Sequence, residues 1–217
     1  MKNLSNLSRA ALVAVVVMLF TSCGASKQAV QSYSRYDELN EKLFELEQQG
    51  WVIDGSTRTL KGALSSHYDK IDSNDNLYEA VGNSTGCRSI TVCRASALNA
   101  ASVDFAVKMG QDLRGKTMRD MGLDESAEVS NEYNRFQEAC ISNFAQSIKG
   151  DLQESFALKQ TNPSSGLNNY QIYFIVDKNA INTRRTDAIK SALEESKLNQ
   201  EYARAVEKFI DGEIDGL

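Results

Sequence analysis

The chain has 217 residues, with 24 Lys and Arg against 29 Asp and Glu, one His and one Pro, and a formal net charge of −5. That acidic balance argues against a nucleic-acid partner, because phosphate backbones select basic patches. A single proline excludes a stiff proline-rich linker, and the length suffices for one compact domain with a real core, or for one domain plus an appended helical piece.

The first element is an export signal. Lys2 and Arg9 precede an apolar run from Ala10 to Phe20, and the small residues Thr21 and Ser22 lead into Cys23. A helix needs about 20 apolar residues to cross a hydrocarbon core of about 30 Å at about 1.5 Å per residue, so this run is too short to span. The segment FTSC, Phe20 to Cys23, resembles the lipobox of bacterial lipoproteins, with Phe20 where that family usually has leucine. The resemblance implies that residues 1–22 are removed. It also implies that the Cys23 sulfur takes a diacylglyceryl group and that its new amine is acylated, palmitate being a typical chain. One acyl chain binds a bilayer only marginally, whereas two or more anchor it stably. The mature chain would carry a formal charge of −7, which leaves the acyl chains rather than electrostatics to hold it at the membrane. Residues 23–31 read as a small, polar tether. Gly24 stands where aspartate would resemble an inner-membrane retention signal, and no acidic residue follows before Gln31. The expected address is the outer membrane, facing the periplasm.

Residues 32–72 read as an N-terminal helix and a short strand. Leu39, Leu43 and Leu46 recur at helical spacing up to Gly50, with Ser34 and Asp37 as the N-cap pair. Trp51 to Asp54 suits a strand, and Leu60 to Ile71 a weaker helix. A core domain is expected over 73–180. It begins with a strand over Leu77–Ser84, continues in a long alanine-flanked helix over Arg88–Leu113 with Leu98, Ser102, Phe105, Met109 and Leu113 in one stripe, and reaches a second helix over Glu125–Gln146. In that second helix Val129, Tyr133, Phe136, Cys140 and Phe144 share a face. From Ser147 to Leu158 the period changes to two, and after the turn-rich TNPSSGLNN the run Tyr170 to Val176 is apolar on both faces, so the two strands read as a hairpin. Residues 181–217 read as a C-terminal helix capped by Thr186, with a frayed tail. The order strand, helix, helix, strand, strand, helix predicts an α+β fold with a small, mostly antiparallel sheet packed against long helices.

The lipobox, EAVGNSTG, CRASALNAASVDFAVKMG, ISNFAQSIKGDLQESF and YQIYFIV together resemble the Lpp-twenty type of small bacterial lipoprotein over about Leu77 to Asp177. That resemblance implies a strand-helix-strand-strand domain with no established enzymatic activity.

Motifs for chemistry are sparse. Gly82 to Ser89 places two glycines between a strand and a helix, as an anion-binding turn would, but has one residue too few between the glycines and Arg88 where a phosphate loop has lysine. His67 lies beside Ser65, Ser66 and Asp69, and neighbours on one helix do not converge into a triad. One histidine and no paired-cysteine spacing imply no metal site, and no cofactor is expected. Cys87, Cys93 and Cys140 remain once Cys23 is lipidated. Cys93 with Cys140 is the candidate disulfide, against the alternative of two buried thiols. Arg184 with Arg185, just before the last helix, reads as a solvated basic pair. Glu194, Glu195, Asp211, Glu213 and Asp215 read as solvated acids. The expected function is a non-catalytic, lipid-anchored envelope lipoprotein that docks on an envelope protein or peptidoglycan. The alternative is a lipid-tethered periplasmic hydrolase in which His67 meets a carboxylate from a distant segment.

Overall fold

The structure is a computed structural model that describes residues 37–123, 130–196, 198 and 200–210. The expected signal segment, Cys23, the tether, the Ser34 cap, Val129 and the acidic tail from Asp211 lie outside the described residues. The chain divides into two compact units between Gln49 and Gly50. In the first unit residues 37–48 form helix α1, in agreement with the leucine spacing.

The second unit is α+β, as expected. Its elements are β1 (Val52–Asp54), α2 (Leu60–Asp72), β2 (Leu77–Cys87), α3 (Ile90–Asp120), α4 (Asn131–Ile148), β3 (Gln153–Thr161), β4 (Asn168–Asp177), α5 (Lys178–Glu195) and α6 (Gln200–Ile210). The strands form one sheet in the order β1-β3-β4-β2, and every neighbouring pair is antiparallel. β3 and β4 form the expected hairpin, which leaves β1 and β2 as the two edges.

Alternation along the strands sorts side chains onto two faces. Ala80, Ala157, Tyr170, Ile172, Phe174 and Val176 join the main core, which α3, α4, α5 and α6 supply with Ala97, Phe105, Phe136, Phe144, Ile189 and Val206 among others. Phe156 and Tyr173 point the other way and meet His67 of α2. Helices therefore cover both faces, which is why β4 is apolar throughout its middle.

Differences from the sequence reading follow from pairing and capping. Within the stretch read as an N-terminal piece, β1 pairs with β3 and, with α2, belongs to the same unit as the rest of the sheet. β3 starts at Gln153 rather than Ser147, because Ile148 still belongs to α4 and the chain turns at Gly150–Asp151. α5 starts at Lys178 rather than at Thr186. Asp177 ends β4 and its carboxylate accepts from the Asn179 N–H at 2.8 Å, so the cap follows the strand at once. The helix stops at Glu195 and a second one, α6, resumes at Gln200.

Candidate functional site

The open edge of β2 borders a cleft of about 390 Å³ whose other wall is α3. Ala80, Val81, Ala101, Phe105 and Val107 make its apolar lining, and Glu79, Asp104 and Lys108 bring charge to it. Among the described residues no strand pairs with the outer edge of β2, so that edge offers N–H and C=O groups to an incoming chain. The glycine at position 82 builds the wall: an added Cβ there would lie 2.0 Å from the Ala97 carbonyl oxygen, so only glycine lets α3 come this close. Ala97, Ala101 and Ala106 are buried and share the contact face of α3 with Phe105, Met109 and Leu113, whereas Ala95 is exposed.

The glycine-bearing stretch, read from the sequence as a tight turn into the helix, is strand up to Cys87. Residues 82–87 belong to β2, and Gly86, at φ +70°, turns the backbone while its N–H donates to Asn169 Oδ1 at 3.2 Å. A second cleft, about 480 Å³, is lined by Glu132, Arg135, Ala139, Glu195 and Ser196 and borders no sheet edge.

His67 is fully buried and does meet a distant carboxylate. Its Nε2 lies 2.6 Å from Glu79 Oε2 on β2. The ring sits edge-on to Tyr68, Phe156 and Tyr173, the last two stacked with centroids 4.4 Å apart. Burial, then the charge of Glu79 and a hydrogen bond to it, push the Tyr68 hydroxyl up to about 12. The other imidazole nitrogen, Nδ1, is buried with no hydrogen-bond partner, so no serine or cysteine among the described residues stands where a nucleophile would be activated.

A second polar cluster joins β1, α3, β3 and β4. The Tyr170 hydroxyl donates to Asp54 Oδ2 at 2.7 Å and accepts from Arg94 Nη1 at 3.1 Å, while Arg94 Nη2 donates to Glu154. Lys159 Nζ lies 3.0 Å from Asp54 Oδ1. Burial opposes the charge of Asp54, but the bonds from Tyr170 and Lys159 outweigh it and hold the carboxyl below its ordinary value. Burial, then the charge of Asp54 and the bond to it, raises the Tyr170 hydroxyl well above its ordinary value. Asp54 and Glu154 pair with Lys159 and Arg94 inside the cluster, which clamps the sheet to α3.

Cys87, Cys93 and Cys140 are free thiols. The structure does not join Cys93 to Cys140. Cys93 faces Cys87, Ser84 and the Asn168 carbonyl, whereas Cys140 is sealed in α4, its thiol raised by burial and then by the charge of Glu195. Arg184 and Arg185 fall inside α5 rather than before a helix. Arg184 Nε donates to Asp151 Oδ2 at 2.6 Å, and Arg185 is buried with its guanidinium lowered by desolvation. Glu194 and Glu195 are exposed at the end of α5.

The residues that the sequence reading missed, Glu79, Tyr68, Asp54, Tyr170 and Arg94, share one faint signal: a polar group set in or beside an apolar strand or helix run. Among the described residues no cluster of three or more His, Cys, Asp or Glu could hold a metal ion, and no helix is long and apolar enough to cross a membrane. No family model, curated protein or solved structure matches this chain.

Proposed function

We propose that the protein is a non-catalytic, lipid-anchored lipoprotein of the cell envelope, held at the outer membrane through Cys23 and facing the periplasm, and that it docks on an extended segment of another envelope protein. The observation that carries the reading is the outer edge of β2, which no strand pairs among the described residues, beside the apolar wall of α3. An extended segment can satisfy that edge with main-chain hydrogen bonds while alternate side chains enter the cleft. The lining favours a protein segment over a glycan, because Ala80, Val81, Phe105 and Val107 present methyl and ring carbon where a sugar needs hydroxyl partners. The carboxylate of Asp104 favours a segment that carries a basic residue.

Site-specific photocrosslinking from Val107 in intact envelopes, followed by titration of the purified full chain with a peptide of the crosslinked segment, tests this. Val107 is exposed, so Val107→Asp should leave the fold intact yet weaken binding at least tenfold. Equal affinity of the variant, or no binding by any crosslinked segment, would remove docking at this cleft.

The second reading, a lipid-tethered hydrolase, has the His67–Glu79 pair behind it. The burial of the ring and its unpartnered Nδ1 favour a structural role for His67. Ester or amide turnover abolished by His67→Gln, with the far-ultraviolet circular dichroism unchanged, would restore the enzyme reading.

A further inference from the structure

We propose that Cys87 and Cys93 are a dithiol site that a disulfide oxidant closes into a Cys87–Cys93 bridge, fastening the end of β2 to the first turn of α3. Two elements converge there. Cys87 is the last residue of β2 and lies opposite Asn168 of β4. Its sulfur is 2.8 Å from Ser84 Oγ, and its carbonyl accepts from Asn168 Nδ2 at 3.4 Å. Cys93 lies one turn into α3, is fully buried, and points its thiol at the Asn168 carbonyl at 3.6 Å. The Cys93 thiol also interacts directly with Cys87 and with the Ser84 hydroxyl. In a regular strand, residues three apart face opposite sides, so Ser84 and Cys87 could not meet. The register shift between them turns both side chains to the same spot. The two cysteines, from two elements, thus meet at one asparagine with Ser84 beside them, their sulfurs neighbours in space and six positions apart in sequence.

The exposures of the two thiols assign an order of events. Cys87 is half-buried and reachable from solvent, while Cys93 is sealed. Burial, and then Cys87 itself, push the Cys93 thiol up to about 11, so it stays protonated while Cys87 is the attacking thiolate. The Cys87 thiolate attacks one sulfur of the oxidant, taken as a small-molecule disulfide or an exposed protein disulfide, and a mixed disulfide forms as one oxidant thiolate leaves. Cys93 then gives up its proton and attacks the Cys87 sulfur, the intramolecular S–S bond forms, and the second oxidant thiolate leaves. Two electrons and two protons pass from the protein to the oxidant, which ends as two thiols. The proposal does not rest on docking at the cleft.

The test uses the full chain in detergent, reduced, freed of reductant, exposed to oxidised glutathione at about pH 8, quenched with acid and alkylated. Trypsin cuts after Arg88, between the two cysteines, so the bridge appears as peptide 71–88 linked to peptide 89–94. The expected result is this linked pair as the main product, present also in Cys140→Ser and absent in Cys87→Ser. The proposal is overturned if Cys87 and Cys93 are both recovered alkylated, if each carries glutathione, or if Cys93 is recovered linked to Cys140. The wild-type readout needs no variant to fold.

Discussion

Asp54 keeps its charge in a place where burial works against it, because Tyr170 and Lys159 both reach its carboxylate. A carboxyl held below its ordinary value of 3.8 adds stability that is fully present above that value and is lost as pH falls through the lower, folded-state value. Asp54→Asn should therefore cost about 1–3 kcal/mol near pH 7, the range for a hydrogen bond to a charged group. Urea unfolding of the two proteins from pH 7 down to about pH 3 should find the difference shrinking once the wild-type carboxyl protonates. A difference that stays constant over that range would show that charge plays no part. His67 makes a related prediction. Its ring fills a site among Tyr68, Phe156 and Tyr173 and also bonds Glu79, so His67→Ala opens a cavity and strips a partner from a half-buried carboxylate. The loss should be about 2–4 kcal/mol in the same unfolding measurement. A loss below about 1 kcal/mol would mean that the histidine is not retained for the fold, and would strengthen the case for chemistry at this position.

β2 and α3 depend on each other through one missing side chain. Gly82→Ala places a methyl 2.0 Å from the Ala97 carbonyl oxygen, and a backbone atom in mid-helix cannot step aside as a side chain can. The helix must move away from the strand, at a cost of about 2–4 kcal/mol in denaturant unfolding, and the cleft between them must change shape. A neutral result would mean that the close approach is not tightly held. The sequence announces the elements whose periodicity is long and unbroken. The stripe through Phe105, Met109 and Leu113 and the stripe through Tyr133, Phe136, Cys140 and Phe144 are buried as the spacing requires, and α3 simply runs seven residues past its expected end at Leu113. Elements whose burial comes from both sides are less legible. Phe156, Ala157 and Leu158 are consecutive and all buried because β3 is an inner strand with helices on both faces, so an alternating pattern misplaces its start into the end of α4. The site is harder still to read. His67 reaches Glu79 twelve positions away and Arg94 reaches Tyr170 seventy-six positions away, and no local pattern encodes such pairings. The two cysteines that meet are separated by a strand end and a helix cap, so their spacing alone resembles neither a zinc motif nor a redox motif.

All four strands, the main core and the β2 cleft belong to the unit that starts at Gly50, whereas Cys23, the proposed lipidation site, precedes that boundary in the sequence. Folding and anchoring should therefore separate when the chain is divided at that boundary. A fragment of residues 50–217 has every strand partner and every core residue from Ala80 to Val206, so it should unfold cooperatively with a midpoint within about 2 °C of the full chain. The same fragment, expressed with a cleavable export signal, should leave the membrane pellet. The full chain should stay in the pellet and incorporate labelled palmitate, and Cys23→Ser should lose both properties without a change in unfolding midpoint. A single acyl chain holds a bilayer only weakly, so, under the proposed lipidation, firm sedimentation of the wild type would indicate more than one chain on Cys23. If the fragment unfolds without a transition, the first unit is needed for the core and the division is wrong. If Cys23→Ser still sediments and is still labelled, another part of the chain meets the membrane, and the β2 edge would have to be reconsidered as a face that approaches lipid instead of a neighbouring protein.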